Sequence, residues 1–210
     1  MNETDPSNDS YHHGDLRRAL LDAALELIRE EGTGSLSLRA VARRAGVSHA
    51  APYHHFDNRA SLVAAVAEEG FVALRRAMLE RMEGLRDPGR QLQQAGIGYV
   101  LFALEEEAHF RVMYSSEVAD RSEFPSLQSA SAGAYAVLGD ALDRCREKGL
   151  VPDDGSPAKG HAAWSIVHGV AMLILDGHLP PGDDYADAEE MAREVTSQLW
   201  RGLVDASADD

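Results

Sequence analysis

The sequence predicts an all-α protein of about nine helices, and three observations support that fold class. Along most of the chain, apolar residues recur every three or four positions, which is the period of a helix with one buried face. No segment alternates apolar and polar residues as a half-buried strand does, and no hairpin signal is present. Glycine and proline divide the chain into segments of helical length. We therefore expect helices throughout and no sheet.

The first three helices are expected close together near the start of the chain. The helical pattern begins at Leu16 and ends at Gly32 and Gly34, because glycine favours a helix end. A serine precedes each of the next two helices, where its hydroxyl oxygen can accept a hydrogen bond from a first-turn amide. These two predicted helices are 38–45 and 49–56, with Ser37 and Ser48 as caps and Gly46 in the turn between them.

Longer helices are expected in the rest of the chain. Asp57 or Asn58 is positioned to cap a fourth helix whose apolar stripe continues to Leu85. The segments 87–89 and 180–182, with the sequences DPG and PPG, are the clearest interruptions after it. The remaining predicted helices are 90–106, 110–114, 125–148, 158–178 and 185–204.

The charge of the chain is unevenly distributed. The 210 residues include 20 basic and 35 acidic side chains, for a net charge of −15, which would repel DNA if it were spread uniformly. Residues 1–13 carry −3 and residues 61–210 carry −13, whereas residues 14–60 carry +1. Any nucleic-acid contact is therefore expected within 14–60, and the acidic remainder is expected to serve another purpose.

Residues 37–56 have the pattern of a helix-turn-helix motif, in which two short helices are joined by a tight turn. Ala42 is small where the two helices must approach each other, and Gly46 can adopt the positive φ of the turn. Val47 is apolar and suited to burial beneath the turn. The same spacing occurs in compact helical hairpins that bind no DNA, so it leaves both interpretations open.

The surrounding sequence extends this motif. The matching segments are LSLRAVA at 36–42, AGVS at 45–48 and YHHF at 53–56, followed by Arg59 and Leu62. On these motifs, the stretch from Tyr11 to about Leu74 resembles the N-terminal domain of the tetracycline-repressor-like (TetR/AcrR) family of bacterial transcription regulators. Arg59 stands where the family normally has a lysine, and Ala51-Pro52 stands where Thr-Leu is common.

The resemblance implies a homodimeric transcription regulator that represses genes by binding a double-stranded DNA operator. It also implies a small-molecule effector that releases the operator. The single cysteine and the polar N-terminus indicate a cytoplasmic protein. The expected organisation is a flexible tail at 1–13, a DNA-binding domain at 14–60, a helical ligand-binding and dimerisation domain at 61–205 and a tail at 206–210.

Roles for individual residues follow from the resemblance and from side-chain chemistry. Ser37 and Arg39 are expected to hold the DNA backbone, and His49 and Ala50 are expected to face bases or a thymine methyl group. Exposed roles in solvent are an equal alternative for Arg43 and Arg44. The full set of expected DNA-binding residues is Ser37, Arg39, Ser48, His49, Ala50, Tyr53, His54 and Arg59, where Tyr53, His54 and Arg59 bind phosphate.

The helix at 158–178 is apolar nearly all round, which predicts burial on several sides by its own core and a partner subunit. Trp164, His168 and Gly169 resemble the Trp-x-x-x-His-Gly pattern of the WHG type of TetR-family C-terminal domain. Together with the last helix, this helix is expected to form a four-helix interface between two copies. The expected interface residues are Ile166, Val170, Leu173, Met191, Val195 and Leu199.

Aromatic and other large side chains in the middle of the chain are candidates for the wall of an effector pocket. Each of them is also an ordinary core residue in the alternative interpretation. The candidates are Tyr99, Phe102, Phe110, Met113, Tyr114, Trp164 and His168.

Other functional classes find little support in the sequence. Cys145 is the only cysteine and is interpreted as a packing residue, which excludes an internal disulfide. No apolar run is long enough to span a membrane, and the polar N-terminus does not resemble a signal peptide. Nine histidines form no zinc-binding spacing, and no catalytic or cofactor-binding motif is present, so no metal, cofactor or enzymatic activity is expected. The alternative function is a helical small-molecule-binding protein or enzyme that does not bind DNA.

Overall fold

The computed structural model describes residues 6–179 and 187–205, with side chains in 16–179 and 187–204. These residues form eight α-helices and three short 3₁₀ helices without a strand, which confirms the all-α prediction. The α-helices are α1 Pro6–Glu31, α2 Leu38–Arg44, α3 Arg59–Met82, α4 Pro88–Glu105, α5 Glu107–Met113, α6 Pro125–Glu147, α7 Ala158–Leu175 and α8 Ala188–Asp205. The 3₁₀ helices are Thr33–Ser35, Ala51–His54 and Ser116–Val118.

The predicted third helix, 49–56, is the element that the structure shortens most. It is the 3₁₀ turn Ala51–His54, whose backbone amides bond three residues back: Ala51 to the Ser48 carbonyl at 3.0 Å and Tyr53 to the Ala50 carbonyl at 3.1 Å. Pro52 lies inside this turn and lacks an amide hydrogen, which favours a short element over a regular α-helix. Ser48 does not cap the turn with its side chain, and its contribution is the carbonyl.

The first helix starts earlier than the sequence predicts. α1 begins at Pro6, so residues 6–13 are helical where a flexible tail was expected. Proline suits the first turn of a helix because an amide hydrogen there has no intrahelical acceptor. Residues 1–5 and 206–210 of the expected tails, and the PPG segment at 180–182, lie outside the described residues.

The helix ends agree closely with the chemistry of the sequence. Ser37 Oγ accepts a hydrogen bond from the Ala40 amide at 3.1 Å and caps α2, as predicted. Asn58 Oδ1 accepts from the Ser61 amide at 3.0 Å at the start of α3. Asp87 Oδ1 accepts from the Arg90 amide at 2.7 Å, which starts α4 at Pro88. The interruption at 87–89 is therefore the cap and first turn of a helix.

The chain divides into two compact units that do not follow the linear boundary at residue 60. The first unit comprises Met1–Glu69 and Ala108–Gln128, and the second comprises Gly70–Glu107 and Ser129–Asp210. Residues 108–128, expected within the ligand-binding domain, thus belong to the same unit as the helix-turn-helix. The predicted division into 14–60 and 61–205 did not include 108–128 in the first unit. Contacts between segments distant in sequence cannot be read from the local pattern of residues.

The second unit is built around α4, which packs against α7 and α8. Glycines allow this close approach: a Cβ added at Gly96 would lie 2.9 Å from Thr196 Cγ2, and one added at Gly89 would lie 2.7 Å from the Trp200 ring. Met191, expected at a dimer interface, is 1% exposed within this unit. That expectation is wrong for Met191, because its side chain is buried in its own subunit.

Candidate nucleic-acid interface and effector site

The turn between α2 and the 3₁₀ turn Ala51–His54 has the geometry of a tight helix-turn-helix. Gly46 has φ of 69°, a left-handed conformation that favours glycine. Its amide donates to the Arg43 carbonyl at 3.2 Å, and the Val47 amide donates to the Ala42 carbonyl at 3.0 Å. This pair of bonds is a Schellman motif, which satisfies carbonyls left unpaired at the end of α2.

Most of the side chains expected to contact DNA are exposed around this turn. Tyr53 is 54% exposed, and Pro52 and Phe56 beside it are buried. Ser37 is half-buried because it serves as a cap. Among the described residues, Arg39 and Arg43 have no ion-pair partner. The exposed set is Arg39, Arg43, Ser48, His49, Ala50, Tyr53 and His54.

Arg59 has a different environment from the one expected of a phosphate ligand. Its Nε donates to the Leu36 carbonyl at 2.6 Å, and its Nη2 donates to the Thr33 carbonyl at 2.9 Å. Its Nη1 forms an ion pair with Glu117. The guanidinium group therefore connects the start of α3 to the loop before α2 and to residues 116–118 within the first unit.

Arg44 also stabilises the first unit from within. Its Nη1 and Nη2 donate to the Glu30 carboxylate at 3.0 and 2.5 Å, and Nη1 lies 3.4 Å from Glu26. These bonds raise the pKa of Arg44 and lower that of Glu30. The roles of Arg43 and Arg44 were left open by the sequence. Arg44 connects α2 to α1 through ion pairs, and Arg43 is exposed to solvent.

Phe56 lies in the core of the first unit. It is 3% exposed, and the Arg17 guanidinium carbon lies 5.9 Å from the centre of its ring. This packing stabilises the end of the DNA-binding segment. His55 is half-buried beside it, with a ring-centroid distance of 6.3 Å.

The second unit contains a row of adjacent aromatic and histidine rings. His168 stacks on Trp164, with ring centroids 5.1 Å apart. Tyr135 contacts the same Trp164 ring edge-on, with ring centroids 5.4 Å apart. The ring centroids of Phe71 and Tyr135 are 6.0 Å apart. The Tyr99 hydroxyl lies 2.9 Å from His168 Nδ1. Burial lowers the pKa of His168 below its ordinary value. The neutral imidazole is therefore the favoured form in this environment.

The expected pocket residues separate into two groups. Tyr99, Phe102, Trp164 and His168 lie in the second unit, where Tyr99 and Phe102 are buried. Phe110, Met113 and Tyr114 lie in the first unit, where the rings of Phe110 and Tyr114 are 5.0 Å apart. Sequence reasoning missed Phe71 and Tyr135 as members of the aromatic row. Their spacing in α3 and α6 gave no signal beyond that of ordinary core positions.

The expected dimer residues other than Met191 differ in exposure. Leu173 is 44% exposed, and Ile166 on the same side of α7 is half-buried. Val170 is 8% exposed, and Val195 and Leu199 on α8 are half-buried. A Cβ added at Gly169 would meet nothing within 4 Å, so the side of α7 between Ile166 and Leu173 is open in a single chain.

Models of known protein families match segments in both halves of this chain. The model of bacterial regulatory proteins of the tetR family matches residues 20–66, and the model of the tetracyclin repressor-like C-terminal domain matches residues 92–199. The chain belongs to the TetR family. It is therefore a DNA-binding transcription regulator, and the sequence Trp164-x-x-x-His168-Gly169 lies within the matched C-terminal segment.

Individual proteins are similar over most or part of the chain. The HTH-type transcriptional regulator Rv1255c of Mycobacterium tuberculosis is 25% identical over 175 residues, 83% of this chain and 80% of its own. BetI of Escherichia coli is 37% identical over 83 residues, 39% of this chain and 43% of BetI. The solved structure of a protein of unknown function from Rhodococcus sp. RHA1 is 31% identical, with a TM-score of 0.79 over 92% of this chain and 98% of its own.

Within residues 6–179 and 187–205, no group of three or more histidine, cysteine, aspartate or glutamate side chains is arranged to hold a metal ion. Burial raises the pKa of the Cys145 thiol to about 11, so the thiol stays protonated, in agreement with its interpretation as a packing residue. No described helix is both long and apolar enough to cross a membrane.

Proposed function

We propose that this TetR-family regulator is a repressor that binds a palindromic operator as a homodimer and leaves it when a small molecule binds the second unit. The observation that carries the proposal is the exposed set around the helix-turn-helix, which includes Arg39, Tyr53 and His54. The exposed phenol of Tyr53 is accessible to a partner, whereas the ring of Phe56 is buried. We expect the protein to act in the cytoplasm, where the operator is.

The DNA contacts divide into two kinds. Arg39, Tyr53 and His54 can donate hydrogen bonds to phosphate oxygens, and the Ser37 hydroxyl can donate one while its oxygen caps α2. His49 and Ala50, exposed before the 3₁₀ turn, are placed to contact base edges in the major groove. The phosphate contacts set the position of the protein on DNA, and the base contacts set its sequence preference.

The homodimer is supported by the open side of α7. Ala162, Ile166, Gly169 and Leu173 form an apolar line along this helix, and Leu173 is 44% exposed. A second copy could cover the same line by two-fold symmetry, with α8 beside it. Two DNA-binding segments would then contact half-sites about 34–36 Å apart on one face of the duplex.

The effector site is supported by the aromatic row in the second unit. Its middle members Tyr135, Trp164 and His168 are half-buried, whereas Phe71 and Tyr99 at its ends are fully buried. A small, largely apolar molecule could pack on the half-buried rings and form a hydrogen bond with the His168 imidazole. Binding would favour one spacing of the two DNA-binding segments over another, which changes operator affinity by population shift.

The decisive experiment is enrichment of genomic fragments on the purified protein, followed by footprinting. We expect a short palindrome to be protected and its affinity to fall steeply with salt. The genes beside the palindrome would also suggest the effector, and transcription in vitro with and without the protein tests the sign of regulation. Failure of folded dimer to enrich any fragment would favour the alternative, a helical ligand-binding protein or enzyme that does not bind DNA.

A further inference from the structure

A cationic cleft lies in the second unit, where the end of α3, the first half of α4 and the middle of α8 meet. Its volume is about 390 Å³, which is within the range of small-molecule sites. Each of the three helices contributes one arginine to it: Arg81 from α3, Arg90 from α4 and Arg193 from α8. Leu85, which is half-buried, contributes an apolar wall.

The charge of this cleft is opposite to that of its surroundings. Residues 61–210 include 13 basic and 26 acidic side chains, yet the described lining of the cleft includes three of those bases and no aspartate or glutamate. Guanidinium groups repel one another at short range, so three of them around one cavity are stabilised together by an anion. In an acidic unit, such a grouping indicates a site for a negatively charged molecule.

The hydrogen bonds beside the cleft show how its arginines hold a carboxylate. Glu189 Oε1 accepts from Arg81 Nη2 at 2.6 Å and from Arg193 Nη2 at 3.4 Å. Arg81 Nε donates to Gln94 Oε1 at 3.1 Å, which leaves the Gln94 amide hydrogens as donors for the cleft. One carboxylate therefore serves two guanidinium groups, and Arg90 has no ion-pair partner among the described residues.

We propose that this cleft binds a small organic anion with two negative charges, through Arg81, Arg90 and Arg193. Guanidinium groups are planar and donate paired hydrogen bonds to carboxylates and phosphates, which suits them to either group. Leu85, the half-buried apolar residue of the lining, packs against the short carbon skeleton between the charges. Glu189 competes with the ligand for Arg81 and Arg193, so it limits the affinity of the site.

This anion site shares no residue with the proposed DNA contacts. All of its residues lie in the second unit, and none belongs to the helix-turn-helix at 37–56 or to the aromatic row. Binding can therefore be measured with the full chain in the absence of DNA. Failure of the anion site would leave the repressor proposal standing, and failure of operator binding would leave the anion site standing.

The test is isothermal titration of the full chain with succinate, glycerol 3-phosphate and inorganic phosphate, with neutral succinamide for comparison. We expect saturable binding of at least one dianion, weaker at high salt, and no binding of succinamide. The carboxylate and phosphate probes identify which group the cleft prefers. Arg90→Gln and Arg193→Gln are expected to weaken binding about tenfold each, because each removes a charge-assisted hydrogen bond.

Two further variants make the test specific. Glu189→Gln removes the competing carboxylate and is expected to strengthen binding. Arg201→Gln removes an exposed arginine of α8 that does not line the cleft and is expected to leave binding unchanged. The proposal is overturned if no dianion binds the folded chain, if Arg90→Gln and Arg193→Gln bind as the natural protein does, or if Arg201→Gln weakens binding equally.

Discussion

The Tyr99 hydroxyl lies 2.9 Å from Nδ1 of His168 and joins α4 to α7 by a hydrogen bond within the second unit. Tyr99 is 1% exposed, and burial lowers the pKa of His168. The neutral imidazole can accept this bond from the phenol at Nδ1, whereas the protonated imidazole cannot. The pair therefore connects the protonation state of His168 to the packing of α4 on α7.

His168 is expected to make stability depend on pH. Because its pKa is lower in the folded state than in the unfolded chain, the unfolded chain binds the proton more readily. The free energy of unfolding is then highest above about pH 6.5 and decreases as pH falls toward the folded pKa. Urea unfolding between about pH 7.5 and about pH 5 should show that the free energy of unfolding falls more steeply in the natural protein than in His168→Gln. His161→Gln, an exposed change on the same helix, should retain the steep loss.

Arg59 is expected to stabilise the first unit more than it binds phosphate. Arg59→Gln removes the bonds to the Thr33 and Leu36 carbonyls and should lower the free energy of unfolding by about 1–3 kcal/mol. Glu117→Gln removes only a partly exposed ion pair and should cost less than about 1 kcal/mol. Chemical unfolding of the two variants measures both losses.

The salt dependence of operator binding separates the two roles of Arg59. A phosphate contact contributes about one to the slope of log affinity against log salt. We expect Arg59→Gln to leave that slope unchanged and Arg39→Gln to reduce it by about one. A reduced slope in Arg59→Gln would show that the guanidinium turns from Glu117 to DNA in the complex.

Gly96 is expected to tolerate no side chain, in contrast to a helical glycine at an open position. A Cβ at Gly96 would lie 2.9 Å from Thr196 Cγ2 and 3.1 Å from Val167 Cγ1, so Gly96→Ala should destabilise the protein by about 1–3 kcal/mol. A Cβ at Gly139 would meet nothing within 4 Å, and Gly139→Ala should stabilise by about 0.5–1 kcal/mol through helix propensity. Thermal unfolding compares the stability of the two variants. An equal change of stability in both would contradict the close packing of α4 on α8.

Leu173 is expected to be central to dimerisation. Leu173→Glu places a charge on the open apolar side of α7 and should convert the dimer to a folded monomer, measured by sedimentation at micromolar concentration. Leu150→Glu alters a leucine of comparable exposure, 36%, outside that side of α7 and should leave the dimer intact. A stable dimer of Leu173→Glu would mean that another surface joins the two copies.

The helices and their ends could be predicted from the sequence because local chemistry decides them. Gly46 and Gly149 each adopt a positive φ where a helix ends, and Ser37 caps α2 as its position suggests. The helical spacing of apolar residues likewise predicted α4 and α6 within two residues at each end. The family resemblance followed from motifs at 36–56, which the comparisons confirmed.

Other features depend on contacts that the sequence does not reveal. Arg59 bonds to carbonyls 23 and 26 positions earlier, so its role in the first unit could not be inferred from its neighbours. Met191 belongs to an apolar stripe, but the stripe did not indicate that α4 of the same subunit would cover it. The cationic cleft joins three helices that are distant in sequence, within a segment whose summed charge is strongly acidic.

The exposed residues around the 3₁₀ turn are expected to bind operator DNA. The most direct test is the affinity of Tyr53→Ala for the footprinted operator, with Arg76→Gln, a 75% exposed arginine of α3 in the second unit, as control. We predict that Tyr53→Ala weakens binding of operator and unrelated DNA alike, since the phenol contacts phosphate, while Arg76→Gln binds as the natural protein does. Operator affinity unchanged by Tyr53→Ala would contradict the claim.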